Sequence, residues 1–279
     1  MFKGVIAIDQ IYMKRAIELA KKGEGYVNPN PLVGAVIVKD GKIIGEGFHR
    51  GYGKNHAEVD AFESLIESPI GATIYVNLEP CSHFGKTPPC ANRIVAEGIK
   101  RVVIAMKDPN PLVSGNGIKI LKENNIDVSI GVLEEEATKL NEIFIKYITT
   151  GIPFFIVKTA MTLDGKIASY TGDSKWITGE LAREKVHKIR HRMSGIMVGI
   201  GTVLKDNPSL TTRLDMKDTM DPHRIIVDTS CRIPLDSKVL NLDSKSKTII
   251  VTTENASDEK IKRVKEKGAE VIILPKANG

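Results

Sequence analysis

Three side chains in the first third of the sequence have the types and the spacing of a catalytic metal site. His56 comes first, and Cys81 and Cys90 follow with eight residues between them. Zinc favours tetrahedral sites built from histidine nitrogen and cysteine sulfur, and a catalytic site uses three protein ligands and leaves the fourth position to water. The sequence therefore predicts one zinc ion bound by His56, Cys81 and Cys90.

Glu58 adds a proton carrier to this set, because it stands two residues after His56 at the predicted start of a helix. A carboxylate in that place can reach the water of the fourth position without being a ligand itself. The pattern His-x-Glu followed by Pro-Cys and a second cysteine is typical of zinc-dependent nucleobase deaminases, in which the glutamate is the general acid and base. Hydrolytic deamination is therefore the first hypothesis for function, with Glu58 as the catalytic residue.

Simpler interpretations of the same residues stay open at this point. Buried cysteines are often small apolar core residues, and the histidine could be one too. A structural zinc site would need a fourth ligand, for which His83 is the nearby spare, and would make this a zinc-stabilised binding module without catalysis. A deaminase acting on another nucleobase, such as adenosine in RNA, would use the same zinc chemistry.

Composition limits the class of protein. The 279 residues are 42% hydrophobic, enough for two ordinary domains with packed cores. No apolar run reaches the length of a membrane span, so no membrane partner is expected. The chain has only three cysteines, a small and odd number that argues against a framework of disulfide bonds. The sequence therefore predicts a reduced, cytoplasmic enzyme.

The net charge of +6 lies entirely in the second half of the chain. Residues 1–150 carry 18 basic and 18 acidic side chains, whereas residues 151–279 carry 22 and 16. A neutral first half is a poor electrostatic match for a long nucleic acid strand. The sequence therefore predicts no nucleic acid partner, and it is compatible with a homo-oligomer.

Hydrophobic periodicity and turn signals predict alternating helices and strands, and hence an α/β protein whose first domain has one mixed sheet. A turn of the type Thr-Thr-Gly-Ile-Pro over 149–153 suggests a boundary between domains 1–150 and 151–279. In the first domain we predict helices at 10–22, 56–66, 117–124 and 134–147, a helical turn starting near Cys90, a hairpin of strands 34–39 and 42–48, and strands at 73–77, 101–105 and 127–130. In the second domain we predict helices at 180–192 and 258–267 and strands at 154–159, 195–199, 224–228, 248–252 and 271–274.

Longer motifs carry a resemblance to a known family over essentially the whole chain. In the first half they are Asn-Pro-Asn-Pro-Leu-Val-Gly-Ala over 28–35, Gly-x-His over 47–49, His-Ala-Glu-Val over 56–59 and Leu-Glu-Pro-Cys-Ser-His-x-Gly-Lys-Thr-Pro-Pro-Cys over 78–90. In the second half they are Lys-Thr-Ala-Met-Thr-Leu-Asp-Gly-Lys-Ile-Ala over 158–168, Ser-x-Trp-Ile-Thr over 174–178, Val-Gly-Ile-Gly-Thr-Val-Leu over 198–204 and Asp-Asn-Pro-x-Leu-Thr over 206–211. With these motifs the chain resembles the bifunctional riboflavin-biosynthesis deaminases/reductases.

The resemblance implies a cytidine-deaminase-like three-layer domain followed by a dihydrofolate-reductase-like domain. The first domain would remove the 2-amino group of 2,5-diamino-6-(5-phosphoribosylamino)pyrimidin-4(3H)-one, a small phosphorylated pyrimidine. The second would use NADPH to reduce the ribosyl group of the product to a ribityl chain. The family's reductase domain normally continues with a Glu-Gly-Gly stretch and further strands beyond the point where this sequence stops, so we expect a reductase domain that is incomplete at its C-terminal end.

The resemblance also implies binding residues, which we carry over position by position. Substrate contacts in the deaminase domain would be Asn30, His49, His83 and Lys86. Substrate contacts in the reductase domain would be Ser174, Arg190, Leu210 and Arg213. NADPH contacts would be Ala160, Trp176, Thr202, Asp206, Thr229 and Ser230.

Overall fold

The computed structural model describes residues 2–82 and 89–275, with side chains described from residue 7 onward. The chain divides into two compact units, Met1–Val157 and Lys158–Gly279. The predicted domain boundary at 150/151 lies near this division and stays a prediction. Among the described residues, no helix has both the length and the apolar character needed to cross a lipid bilayer.

The first unit is an α/β unit built on a five-stranded sheet. Its elements are α1 (Phe2–Lys21), β1 (Gly34–Lys39), β2 (Lys42–Phe48), α2 (Ala57–Glu63), β3 (Thr73–Leu78), α3 (Cys90–Ala96), β4 (Arg101–Met106), α4 (Asn116–Glu123), β5 (Asp127–Ile130), α5 (Glu134–Leu140) and α6 (Glu142–Thr150).

The strands of this sheet lie in the order β2-β1-β3-β4-β5. β1 is antiparallel to β2 and β3, and β3, β4 and β5 are parallel to one another. The sheet is therefore mixed, as the sequence predicts. The two central strands are buried along nearly their whole length, which is the usual condition of parallel strands covered on both faces.

Two apolar clusters cover the two faces of the sheet, so the unit has three layers. One cluster joins alternate strand residues such as Ile74 and Ile104 to side chains of α2, α3 and α4, including Phe62, Ile94 and Leu121. The other joins the opposite strand residues to side chains of α1 and α5. The period of two along each strand explains why neighbouring residues enter different clusters.

The hairpin between β1 and β2 turns at Asp40 and Gly41, whose φ values of 47° and 74° are both positive. Asp-Gly favours this type of two-residue turn because both central residues must adopt left-handed backbone angles. Further along β2, Gly47 allows a close approach of α2, since an added Cβ would lie 2.2 Å from the backbone nitrogen of Ala61. The start of α2 is thus held firmly against the sheet.

The single helix predicted over 134–147 is wrong, because the structure has two helices that meet at Asn141. Asn141 is buried, with 2% of its side chain exposed, and its amide group bonds to the backbone of Leu32. Apolar periodicity runs through both α5 and α6, so the pattern alone gives no sign of the break. The break places a polar side chain inside the unit, where it finds partners from a distant part of the chain.

The second unit contains a four-stranded parallel sheet. Its elements are α7 (Glu180–Arg192), β6 (Gly195–Gly199), α8 (Ile200–Asp206), β7 (His223–Val227), a 3₁₀ turn (Lys238–Leu240), β8 (Thr248–Thr253), α9 (Asp258–Glu266) and β9 (Glu270–Leu274). The strand order is β6-β7-β8-β9. Its core joins Ile226 and Ile250 of the central strands to Val203 of α8 and Val264 of α9.

The strand predicted over 154–159 is absent from the described structure. The prediction depended on the apolar run that begins at Phe154, but the strand pairings of the described residues do not include this segment. Phe155 and Val157 are instead 71% and 89% exposed. Apolar composition favours a strand only where a neighbouring strand can take its backbone hydrogen bonds.

Candidate metal centre and ligand sites

The three predicted zinc ligands come from the starts of two helices and the end of one strand. His56 is the N-cap of α2, Cys81 follows β3 by a few residues, and Cys90 is the first residue of α3. The backbone N–H of Cys90 donates a hydrogen bond to Cys81 Sγ at 3.3 Å, and Ala91 N–H donates to the Cys81 carbonyl oxygen at 3.1 Å. The positive ends of helices favour thiolates. The fold therefore assembles the predicted ligands with α3 seated on Cys81.

Interatomic distances match a tetrahedral metal site. His56 Nδ1 lies 3.5 Å from Cys81 Sγ and 3.4 Å from Cys90 Sγ, and all three ligand atoms lie within 4.8 Å of one another. Zinc–sulfur bonds of about 2.3 Å and zinc–nitrogen bonds of about 2.0 Å at tetrahedral angles would separate sulfur from nitrogen by about 3.5 Å. The residues present therefore fit a zinc ion held by two thiolates and one imidazole.

Glu58 lies in the first turn of α2 with 4% of its surface exposed, and its carboxyl group is within hydrogen-bonding range of the Cys90 thiol. Burial, reinforced by the negative charge of Cys81, raises the pKa of Glu58 to about 7. A carboxyl group with a pKa near neutrality can both accept and donate a proton at physiological pH. These properties are what a proton carrier beside the metal requires.

The electrostatics of the cysteines favour a thiolate in this cluster. A hydrogen bond from the Cys90 thiol and the proximity of His56 lower the pKa of Cys81 well below its ordinary value, although burial opposes them. The hydrogen bond between His56 and Cys81 in turn raises the pKa of His56. Thiolate is the form of cysteine that binds metals.

Asn30 and His49, which the resemblance implies as substrate contacts, meet next to this cluster. Asn30 Nδ2 is 3.1 Å from His49 Nε2, and His49 Nδ1 is 2.8 Å from the carbonyl oxygen of Asn55. The carbonyl can only accept, so Nδ1 carries the proton and Nε2 accepts from the Asn30 amide. The His49 ring centre lies 5.9 Å from that of His56, and burial lowers the pKa of His49. The other two implied contacts, His83 and Lys86, lie outside the described residues.

Glu79 is a buried residue of the site region to which the sequence analysis assigned no role. Its side-chain oxygens accept hydrogen bonds from the backbone N–H groups of Asp108 at 3.1 Å, Gly115 at 3.0 Å and Ile118 at 3.2 Å. These contacts fasten the start of α4 to the residue that precedes Pro80 and Cys81. A Cβ on Gly117 would lie 2.0 Å from the Pro80 carbonyl oxygen, so α4 approaches this strand end very closely.

In the second unit, two of the implied binding residues, Trp176 and Arg213, line one cavity. A cavity of about 630 Å³ is lined by Trp176, Arg213 and the helix residues Arg183, His187 and Lys188, among others. The Arg183 guanidinium stacks over the Trp176 ring at 4.6 Å from its centre. His187 Nδ1 accepts a hydrogen bond from Arg213 N–H at 3.1 Å. Both signs of charge therefore lie beside an aromatic surface, since Glu184 and Asp215 line the same cavity and Glu184 pairs with Lys188.

Arg190 and Leu210 lie close to the same region. Arg190 donates a hydrogen bond to the carbonyl oxygen of Thr211 at 3.0 Å, and burial, followed by the charge of Arg213, lowers its pKa. Leu210 is buried with a positive φ of 56°. The short segment after Leu210 therefore links Arg190 to Arg213, while Ser174 lies two residues before Trp176 and is half-buried.

The implied cofactor contacts divide between this region and the carboxyl edge of the parallel sheet. Gly199 of β6 pairs with Val227 of β7, so α8, with Thr202 and Asp206, and the loop after β7, with Thr229 and Ser230, start from the same edge. The Thr229 carbonyl oxygen accepts hydrogen bonds from Thr253 at the end of β8. Ligands of open parallel sheets usually bind at this edge. Ala160 is half-buried, although the residues on either side of it in the segment before α7 are exposed.

Comparison with known families agrees with the division into two units. Residues 6–106 match the family described as the cytidine and deoxycytidylate deaminase zinc-binding region, and residues 153–278 match the RibD C-terminal domain. Together with the His56, Cys81 and Cys90 cluster, this defines the class of protein: a zinc-binding deaminase domain followed by a dihydrofolate-reductase-like reductase domain. The predicted fold class is confirmed.

Individual relatives place the chain more closely. The riboflavin biosynthesis protein RibD of Aquifex aeolicus is 51% identical over 267 residues, which cover 96% of this chain and 74% of that protein. A solved diaminohydroxyphosphoribosylaminopyrimidine deaminase/5-amino-6-(5-phosphoribosylamino)uracil reductase of Thermotoga maritima has 47% identity and a TM-score of 0.83, and the match covers 96% of this chain and 81% of that one. RibD of Acinetobacter baumannii has 41% identity and a TM-score of 0.87, with 98% and 75% covered. The chain belongs to the RibD family of bifunctional riboflavin-biosynthesis enzymes, and it is a deaminase and a reductase.

Proposed function

We propose that the first unit deaminates 2,5-diamino-6-(5-phosphoribosylamino)pyrimidin-4(3H)-one and that the second reduces the ribosyl group of the product with NADPH. The observation that supports the first step is the buried Glu58 carboxyl beside the three converging ligand atoms of His56, Cys81 and Cys90. The Thermotoga maritima relative is a deaminase and reductase that acts on the same class of substrate.

The deamination needs a nucleophile and a proton carrier. Zinc held by His56, Cys81 and Cys90 would supply a Lewis acid that activates water near neutral pH. Glu58 would take a proton from the attacking water, pass it to the ring nitrogen and then help to protonate the leaving amine. Water is consumed, the bond between the ring carbon and its amino nitrogen breaks, and ammonia leaves.

Recognition of the substrate would fall to residues at the rim of this site. The hydrogen bond to His49 Nε2 fixes the orientation of the Asn30 amide, so Asn30 can present a polar group to the substrate without further ordering, whereas both ring nitrogens of His49 already have partners. His83 and Lys86 belong to the same proposal by resemblance, with a charge suited to the ribose phosphate.

The reduction would use the cavity and the sheet edge of the second unit. Arg213 and Arg190 supply positive charge for a phosphorylated substrate, with Ser174 and Leu210 beside them. NADPH would transfer a hydride to the ribosyl carbon while a proton completes the ribityl hydroxyl. The residues that would hold NADPH are Ala160, Trp176, Thr202, Asp206, Thr229 and Ser230.

The thiolate ligands of the first unit need a reducing compartment, which supports a cytoplasmic location.

A direct assay tests the proposal and its competitor. The zinc-loaded protein should release ammonia from the diaminopyrimidine phosphate and should leave cytidine and an adenosine-containing RNA hairpin unchanged. Oxidation of NADPH, followed at its absorbance maximum after addition of the deaminated product, tests the second step. Ammonia release from cytidine or adenosine alone would favour a deaminase of another nucleobase, and no release from any of them would leave a zinc-stabilised binding module.

A further inference from the structure

Two buried asparagine side chains meet on the backbone of one residue, Leu32. Asn77, in β3, is fully buried, and Asn141, between α5 and α6, is 2% exposed. The two residues are separated from Leu32 by 45 and 109 positions in the sequence. The sequence analysis assigned neither residue a role as a metal ligand, a proton carrier or a substrate contact.

The amides satisfy both backbone groups of Leu32. Leu32 N–H donates to Asn141 Oδ1 at 2.8 Å, and the Leu32 carbonyl oxygen accepts from Asn77 Nδ2 at 2.9 Å and from Asn141 Nδ2 at 3.0 Å. Asn77 Oδ1 also accepts from Gly34 N–H at 2.8 Å. Each amide therefore uses both its acceptor and a donor on the same short stretch of backbone.

Fixing the backbone of Leu32 with two buried amides carries an energetic cost. Burying an amide costs free energy unless every partner is in place, and the side chain of Leu32 already packs against Ala20 and Val27 in an apolar cluster. Apolar packing is non-directional. Hydrogen bonds, in contrast, restrict both distance and angle, so the two amides define where the backbone of Leu32 lies relative to β3 and to the junction of α5 and α6.

The loop held in this way leads to the metal centre. Asn30 stands two residues before Leu32, and its own backbone N–H donates to the Val27 carbonyl oxygen at 2.8 Å. Its side-chain amide contacts His49 Nε2, and His49 lies beside the zinc ligand His56. Hydrogen bonds, the backbone between Leu32 and Asn30, and the ring contact of His49 with His56 therefore connect the buried amides to the rim of the site.

We propose that Asn77 and Asn141 are positioning residues for substrate recognition in the deaminase site. They act through Leu32, whose fixed backbone places Asn30 against His49. This inference rests on the proposed function, since it takes Asn30 and His49 as substrate contacts. Neither amide touches the ligand atoms, so their removal should leave the zinc site intact and should weaken recognition.

The test compares Asn141→Ala and Asn77→Ala with the parent chain, using the diaminopyrimidine phosphate as substrate. We expect KM to rise by about tenfold or more, because a displacement of a positioning group by about 1 Å can cost up to about a hundredfold. The turnover number should change much less, and zinc content should equal that of the parent. Asn124→Ala is the matched control, because Asn124 is exposed at the end of α4 and its amide donates to the nearby Ile120 carbonyl oxygen rather than to a distant part of the chain.

A double-mutant cycle with Asn30→Ala separates positioning from plain stability. If Asn141 acts through Asn30, then Asn141→Ala in the Asn30→Ala background should change KM by less than about twofold. Independent effects that multiply would overturn the proposal, as would an Asn141→Ala protein with unchanged KM.

Folding of the variants is checked by thermal melting. Asn141→Ser provides a milder change, because its hydroxyl can both donate and accept a hydrogen bond and no charge is buried. Failure of all three variants to fold would assign the amides to stability and refute a positioning role. If the parent chain releases no ammonia, both the proposed function and this inference are contradicted. If the parent is active and the variants have the same KM as the parent, the inference alone is contradicted.

Discussion

Replacement of Glu58 by glutamine is the sharpest test of the deaminase chemistry. The glutamine side chain has nearly the same shape, so the buried position against Cys90 stays filled. It cannot accept and return a proton. Since Glu58 is not one of the three converging ligand atoms, the variant should bind the same amount of zinc as the parent.

The size of the expected effect follows from the role. General acid–base catalysis contributes about 10²- to 10⁴-fold to rate, which corresponds to about 3–5 kcal/mol of transition-state stabilisation. The loss of turnover in Glu58→Gln should lie in the upper part of this range. The carboxyl group is buried with a pKa raised to about 7, and this one residue would carry out every proton transfer of the reaction. The stability of the fold should be kept or should increase, because a buried ionisable group is replaced by a neutral one.

The assay measures ammonia release from the diaminopyrimidine phosphate at saturating substrate, together with zinc content and thermal melting. Glu63→Gln serves as the control, because Glu63 lies on the same helix, is exposed, and bonds to Asn55 through an oxygen that glutamine retains. A zinc-loaded Glu58→Gln protein with turnover within about threefold of the parent would refute the role of proton carrier.

Three further predictions concern the ligands and the residues around them. Cys81→Ser should lose most of its bound zinc, because serine oxygen is a poor replacement for a thiolate, and elemental analysis measures this. Glu79→Gln should destabilise the first unit by about 1–3 kcal/mol, because backbone N–H groups lose a buried acceptor, and urea unfolding measures this. Arg213→Lys should raise KM of the reduction by about tenfold, because lysine lacks the planar fork that pairs with phosphate, and NADPH oxidation measures this.

Each of these predictions has a result that contradicts it. Full zinc stoichiometry in Cys81→Ser would remove that residue from the ligand set. An unchanged unfolding midpoint in Glu79→Gln would show that the carboxylate contacts contribute nothing, and Glu123→Gln, which alters an exposed pair with Lys119, is the comparison. Unchanged KM in Arg213→Lys would place the phosphate elsewhere, and Lys205→Arg offers a matched exchange of basic residues.

Much of the metal centre was accessible from sequence because its residues are close together and chemically distinctive. His56, Glu58, Cys81 and Cys90 form a pattern that depends on residue types and local spacing, and the structure brings the three ligand atoms within 4.8 Å of one another. The turn at Asp40 and Gly41 was predictable for a similar reason, since backbone preferences act over two residues.

Only the tertiary structure decided how the surroundings of the site are held. Asn77, Asn141 and Glu79 look like ordinary polar residues in the sequence, and they acquire a role through partners that lie 29 to 109 positions away. The same holds for the break between α5 and α6, because the apolar pattern continues through it and does not predict that the Asn141 amide is buried there. The segment starting at Phe154 shows the opposite case, in which an apolar pattern finds no strand partner among the described residues. Local composition specifies which chemistry a side chain can perform, whereas burial and hydrogen-bond partners arise only when distant segments pack together, and they decide where that chemistry is held.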